Sequence, residues 1–157
     1  MIDTSPETTR RAFLVCSTGS VAALMLDMAP AQATPESLGT AIKAVVGTAE
    51  LRAGKVTLDL PPLVENGNTV PMTVSVDSPM TESDHVTAIH VFNEKNPQPH
   101  VMSATLGPRA GKAKVSMRIK LNDSQKIVAI AQTSAGAFWT ASADVIVTLA
   151  ACVEDPT

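Results

Sequence analysis

Beyond Gly54 the apolar residues fall at every second position, in short runs closed by Pro, Gly, Asn or Ser. A side-chain period of two belongs to a pleated strand with one face buried, and it cannot form the apolar stripe of a helix. Residues 55–60 place Val56, Leu58 and Leu60 on one face and stop at Pro61-Pro62. Asn66-Gly67 is a strong tight-turn signal. It leads into Val70, Met72, Val74 and Val76, which alternate up to Asp77-Ser78-Pro79. Further strands are expected over 87–92, 100–106, 112–121, 127–133, 138–142 and 144–149. The loops between them are rich in Pro, Gly, Asn and Ser, as at 93–99, 107–111 and 134–136. In 112–121, Val115, Met117, Ile119 and Leu121 oppose Lys114, Ser116, Arg118 and Lys120. Closely spaced strands with alternating polar and apolar faces predict an all-β fold. The expected form is an immunoglobulin-like antiparallel β-sandwich with one face of each sheet in water. One short N-terminal helix should precede it. Thr34 serves as its cap, Pro35 as its first residue, Leu38, Ile42, Val45 and Val46 as its apolar stripe, and Gly47 as its end.

The first 33 residues read as an export address. Thr8-Thr9-Arg10-Arg11-Ala12-Phe13-Leu14 resembles a twin-arginine signature, and a weakly apolar stretch interrupted by polar residues follows. Ala31-Gln32-Ala33 has the small-x-small form of a cleavage site. The stretch is too short and too polar for a membrane span of about 20 residues. Leu14-Val15-Cys16 is a poor lipidation site, because the β-branched Val15 precedes the cysteine and Arg11 lies close before it. The expected organisation is therefore a twin-arginine-type signal peptide at 1–33 carrying Arg10 and Arg11, a β-sandwich at 34–149, and a C-terminal arm at 150–157. The expected location is the periplasm.

Several function classes are disfavoured. With a net charge of −3 and no long Lys/Arg run, the chain lacks the basic face that nucleic acid requires. No membrane partner is expected either. One Trp, three Phe and no Tyr leave little for a stacking platform. His85, His90 and His100 fit no zinc-protease spacing and read as surface side chains. A blue-copper site needs His and Met soon after its cysteine, but Cys152 is followed by Val153-Glu154-Asp155-Pro156-Thr157. No catalytic residue, metal ligand or cofactor is assigned.

Cys152 remains. It is the lone cysteine beyond the signal region, in a chain bound for an oxidising compartment that tends to consume free thiols. It lies past the last expected strand, between the small residues Ala150 and Ala151 and a polar tail. Three residues of extended chain from Leu149 would give it a reach of about 10 Å. Glu154 and Asp155 disfavour the thiolate, and no nearby cation activates it. The thiol therefore reads as a handle for cargo rather than as a catalyst.

The residues 61–71, 76–80, 89–97, 106–111 and 143–149 together resemble the SoxY family of sulfur-oxidation carrier subunits. The resemblance implies a periplasmic heterodimer with SoxZ, a second small β-sandwich. It implies that Cys152 holds thiosulfate and then sulfane sulfur as a covalent adduct. The adduct is offered to a c-type haem loading enzyme, a sulfate-releasing hydrolase and a sulfane dehydrogenase. The family often ends in Gly-Gly-Cys-Gly-Gly, where this chain has Ala150-Ala151-Cys152-Val153-Glu154, so its arm is expected to be stiffer. Phe138 and Trp139, consecutive in a strand, point to opposite faces, and one of them is expected at the SoxZ contact. Two readings from other classes stay open. One is a passive exported β-sandwich binding or structural module with an incidental cysteine; the other is a thiol enzyme acting alone.

Overall fold

The period-two rows form two sheets facing each other across one apolar layer. The structure, a computed structural model, describes residues 35–151. Helix α1 (Pro35–Val46) is followed by strands β1 (Leu51–Ala53), β2 (Val56–Asp59), β3 (Leu63–Val64), β4 (Val70–Val76), β5 (Val86–Asn93), β6 (His100–Thr105), β7 (Lys114–Ile119), β8 (Gln125–Thr133) and β9 (Phe138–Val147). A single 3-10 turn, Pro108–Ala110, lies between β6 and β7. The smaller sheet has the order β2-β4-β7 and is antiparallel throughout. The larger sheet runs β1-β9-β8-β5-β6, with β3 also paired to β9.

The core between the sheets follows the alternation in the sequence. Val70, Met72, Val74 and Val76 of β4 face Ile89 and Val91 of β5, Ile127, Ala129 and Ala131 of β8, and Val145 of β9. Fully burying each such aliphatic side chain contributes roughly 1.5–3 kcal/mol. The polar residues of β7 stay in water, where exposed Lys114 and Arg118 guard an edge strand against pairing with another chain.

The structure departs from the expected pattern in three ways. The outer face of the larger sheet is not left wet: α1 covers its middle, packing Leu38, Val46, Ala41, Ile42 and Val45 onto Phe92, Val128, Ile130 and Phe138. Strand β8 is therefore apolar on both faces through Ile127-Val128-Ala129-Ile130-Ala131. The sheets are not wholly antiparallel, since β1 and β3 both run parallel to β9 along its outer edge. The segments expected as two strands at 138–142 and 144–149 form one strand, β9. Trp139, Ala141, Val145 and Val147 keep a single inward period through the small residues in the middle. Gly47, at φ 64, closes α1, and its N–H donates to the Lys43 carbonyl at 2.8 Å.

Candidate functional site

Three backbone segments meet where the chain leaves the sandwich. The Asn66-Gly67 turn lies beside the end of β9, because β3 and the residues after it run along that strand. Ile146 N–H donates to the Pro62 carbonyl and Thr148 N–H to the Val64 carbonyl, both at 2.9 Å. The Thr148 hydroxyl donates to the carbonyls of Val64 and Glu65. Beyond them a closed ring of main-chain hydrogen bonds forms. Gly67 N–H donates to the Leu149 carbonyl at 2.8 Å, Leu121 N–H to the Gly67 carbonyl at 2.8 Å, and Ala151 N–H to the Leu121 carbonyl at 2.9 Å. Leu121 is fully buried, and Gly67 and Ala151 are buried too.

Only glycine fits at position 67. A Cβ there would overlap the Leu121 carbonyl oxygen, come within 2.8 Å of the Ala151 nitrogen and lie 3.1 Å from a Val147 methyl. The Asn-Gly pair, read from sequence as a turn, is thus also the place where the C-terminal segment passes closest to another backbone. Asn66 holds the turn by accepting from the Asn68 N–H at 3.0 Å.

Leu121 is itself fixed by a polar knot. The buried Gln125 carboxamide accepts from Lys95 N–H at 2.9 Å and donates to Asn96 Oδ1 at 2.7 Å. Asn96 Nδ2 donates to the Lys120 carbonyl at 2.7 Å, and Asn122 Nδ2 donates to the Lys95 carbonyl. Lys95 pairs with Asp123 at 2.8 Å, and that contact, first among its causes, lowers the Asp123 carboxyl below its ordinary value. The 93–99 loop therefore fastens the 120–125 turn, and the turn fastens Ala151. Nothing in the local sequence of either loop announced that link.

Of the residues expected to matter, Ala150 is exposed and Ala151 is not free. This corrects the expectation of an arm loose from residue 150, since the chain is tied to the sandwich as far as Ala151. Cys152, Val153 and Glu154 lie outside the described residues, as do Arg10, Arg11 and the Thr34 cap. The free reach of about 10 Å counted from Leu149 is accordingly shortened. The Cα of Cys152 follows that of the anchored Ala151 by one step of about 3.8 Å.

Phe138 and Trp139 do point to opposite faces. Phe138 is buried beneath α1, so its ring is not available on the surface of the folded chain. This narrows the expected partner contact to Trp139, which is half-buried at the margin of the core with the Lys55 ammonium 5.2 Å from its ring centre. His90 is not the freely solvated side chain expected. It is half-buried, and its Nδ1 lies 2.6 Å from the Ser103 hydroxyl, which is also 2.9 Å from His100 Nε2. Burial first, and the neighbouring His100 second, lower the His90 imidazole from its ordinary value of 6.5. Among the described residues no group of three or more His, Cys, Asp or Glu is placed to hold a metal ion. A shallow recess of about 390 Å³ lies over β4 and β7, lined by Asp59, Thr73, Ser116 and Arg118 among others, and it includes none of the ring residues.

The fold and this site define a two-sheet β-sandwich that holds its C-terminal segment by main-chain bonds as far as Ala151, the residue before the lone cysteine of its C-terminal half. The sulfur oxidation protein SoxY family matches residues 42–152, ending on that cysteine. The chain belongs to the SoxY family. Among solved structures it is similar to the sulfur carrier protein SoxY from Chlorobium limicola f thiosulfatophilum. The identity is 29%, the TM-score 0.62, and the match covers 74% of this chain and 100% of that one. Two others share the fold alone. Superoxide reductase (neelaredoxin) from Ignicoccus hospitalis is 18% identical at a TM-score of 0.54, covering 73% of this chain and 94% of that one. A putative superoxide reductase from Thermotoga maritima is 21% identical at a TM-score of 0.53, covering 63% and 93%. No match was found among curated proteins.

Proposed function

We propose that the chain is a sulfur carrier without catalytic activity of its own, exported to the periplasm by the twin-arginine route and bearing its cargo on Cys152. The observation that carries this reading is the ring through Gly67, Leu121 and Ala151. It fixes the backbone up to the residue before the thiol and leaves the thiol to follow directly. Membership of the SoxY family supports the cargo, sulfur in the course of oxidation. SoxZ is the proposed standing partner, with Trp139 as a candidate contact.

The chemistry divides between chain and visitors. In loading, the Cys152 thiol gives up its proton and its sulfur bonds to the sulfane sulfur of thiosulfate. Two electrons pass to the c-type haem enzyme, and a cysteine S-thiosulfonate remains. In release, the hydrolase brings water to the terminal sulfonate. The bond between the sulfane and sulfonate sulfurs breaks, sulfate leaves with loss of two protons, and a persulfide stays on Cys152. A sulfane dehydrogenase then oxidises the remaining sulfur. Glu154 and Asp155 disfavour the thiolate while the carrier is free, so each step awaits an enzyme that supplies the opposing field. A thiol held partly in check also resists stray oxidation.

The test is intact and peptide mass spectrometry after incubation with thiosulfate and the haem loading enzyme. The Cys152 peptide should gain the mass of one thiosulfate, and Cys152→Ser should gain nothing. Wild-type chain that stays unmodified refutes the carrier role and leaves the passive-module reading. Turnover of thiosulfate by the chain alone would point instead to a thiol enzyme.

A further inference from the structure

Five asparagines occur in the chain, and one of them is followed by glycine. Asn68, Asn93, Asn96 and Asn122 precede Thr, Glu, Pro and Asp, whereas Asn66 precedes Gly67. An Asn-Gly pair has a chemistry of its own, because no Cβ shields the glycine nitrogen. That nitrogen can attack the carboxamide carbon of the preceding side chain and close a five-membered ring. Asn66 is exposed to water, while Gly67 is buried.

The two reacting groups are held in opposite conditions. Asn66 Oδ1 accepts from the Asn68 N–H at 3.0 Å and from Asn68 Nδ2 at 3.1 Å. Both donors face the oxygen on which negative charge develops when the carboxamide is attacked, so the electrophile is prepared. The nucleophile is restrained. Gly67 N–H donates to the Leu149 carbonyl at 2.8 Å, and the Gly67 carbonyl accepts from Leu121 N–H at 2.8 Å. A nitrogen held in this way cannot turn onto the side chain that precedes it. We propose that Asn66 is a site of spontaneous deamidation, guarded by the main-chain bond from Gly67 to Leu149, and that the modified turn no longer holds the C-terminal segment. The proposal does not depend on what the chain carries.

In the reaction the Gly67 nitrogen bonds to Asn66 Cγ, and the carboxamide nitrogen leaves as ammonia with the Gly67 amide proton. The cyclic imide has no N–H, so it cannot donate to Leu149. Water then opens the imide at either carbonyl. One opening leaves aspartate. The other leaves isoaspartate, whose main chain runs through Cβ and Cγ and is longer by one methylene. Position 67 has no slack for it, because even a Cβ there overlaps the Leu121 carbonyl oxygen and comes within 2.8 Å of the Ala151 nitrogen. The isoaspartyl turn therefore shifts Gly67 away from Leu121, the residue whose carbonyl fixes Ala151 N–H. Opening the ring exposes Asn66 to a change that keeps the ring from closing again.

The experiment ages the full chain at neutral pH and follows the Asn66-Gly67 peptide by mass spectrometry, with isoaspartate separated from aspartate. Amide exchange is measured alongside. Conversion should be at least ten-fold slower in the folded chain than in the urea-unfolded chain. At urea concentrations below unfolding, conversion and Gly67 amide exchange should rise together, since both need the same local opening. Ala151→Pro removes one N–H of the ring and leaves Asn-Gly intact; it should convert at least three-fold faster than wild type while β4 amides stay protected. Purified isoaspartyl chain should exchange its Leu121 and Ala151 amides faster than unmodified chain. Conversion within two-fold in folded and unfolded chains overturns the guard. So does conversion that stays constant while Gly67 exchange rises, or a folded Ala151→Pro chain that converts no faster than wild type. Should Ala151→Pro unfold, the wild-type urea series decides alone. A mass change that persists in Asn66→Gln assigns the reaction to another residue and overturns the site. Unchanged exchange at Leu121 and Ala151 in the isoaspartyl chain overturns the loss of grip.

Discussion

His90 shows how one side chain can make the fold sensitive to pH while lying apart from the site. Its neighbours are Phe92, with ring centres 6.5 Å apart, His100 at 6.1 Å, and the Ser103 hydroxyl. A neutral imidazole suits this setting, because the hydroxyl can donate to one ring nitrogen and accept from another. A charged one loses hydration and meets a second histidine. The folded-state value is lowered, so between it and the unfolded value near 6.5 the unfolded chain holds a proton that the folded chain does not. The contribution of His90 to stability is complete above that range and is lost as pH falls through it. Urea midpoints of wild type and His90→Asn, taken from pH 7 down to pH 5, should therefore diverge in slope, with wild type falling more steeply. Parallel curves would show that the imidazole is equally easy to protonate in both states.

Among the elements, loops rather than strands set the position of the segment that ends at Ala151. Gly67→Ala drives a methyl into the Leu121 carbonyl and towards Ala151 N–H, so the ring must open or the turn must move. Overpacking of this kind costs about 1–3 kcal/mol. The variant should unfold at lower urea, and hydrogen exchange at the Ala151 and Leu121 amides should speed up relative to β4. An unchanged midpoint with unchanged protection at Ala151 would mean that Gly67 does not hold the segment. The strands were legible in the sequence because one buried face imposes alternation, as in Val70, Met72, Val74 and Val76. Strands β1 and β3 were not, because three and two residues cannot display a period and parallel pairing with β9 leaves no hairpin turn to read. The small residues Ala141-Ser142-Ala143 hid the continuity of β9. At the site, the cysteine and the Asn-Gly turn were visible as residues, but the meeting of that turn with the C-terminal segment at Leu149 and Ala151 was not. It is a long-range match of Gly67, Leu121 and Ala151, all main-chain atoms whose partners no side-chain pattern encodes.

At the scale of the whole molecule, the proposed carrier role keeps the sandwich and its cargo independent. The core lies between the sheets and beneath α1, and among the described residues the C-terminal segment ends on a main-chain bond at Ala151. A bound group stabilises a fold only if it interacts differently with the folded and unfolded chains. Cargo attached beyond Ala151 should find much the same solvent in both. On the proposed reading each visiting enzyme would then meet the same surface whatever Cys152 bears, and would have to tell loaded from empty carrier by the adduct alone. The expected result is that thiol, S-thiosulfonate and persulfide forms melt within about 1 °C of one another, a window that corresponds to a few tenths of a kcal/mol for a domain of this size. Their hydrogen-exchange maps should differ only around residues 147–151 and the Gly67 turn. A rise of several degrees on loading, or new protection reaching β4 or β8, would mean that the sandwich itself grips the adduct. The carrier would then signal its state through the fold, and visiting enzymes could read the cargo without touching it.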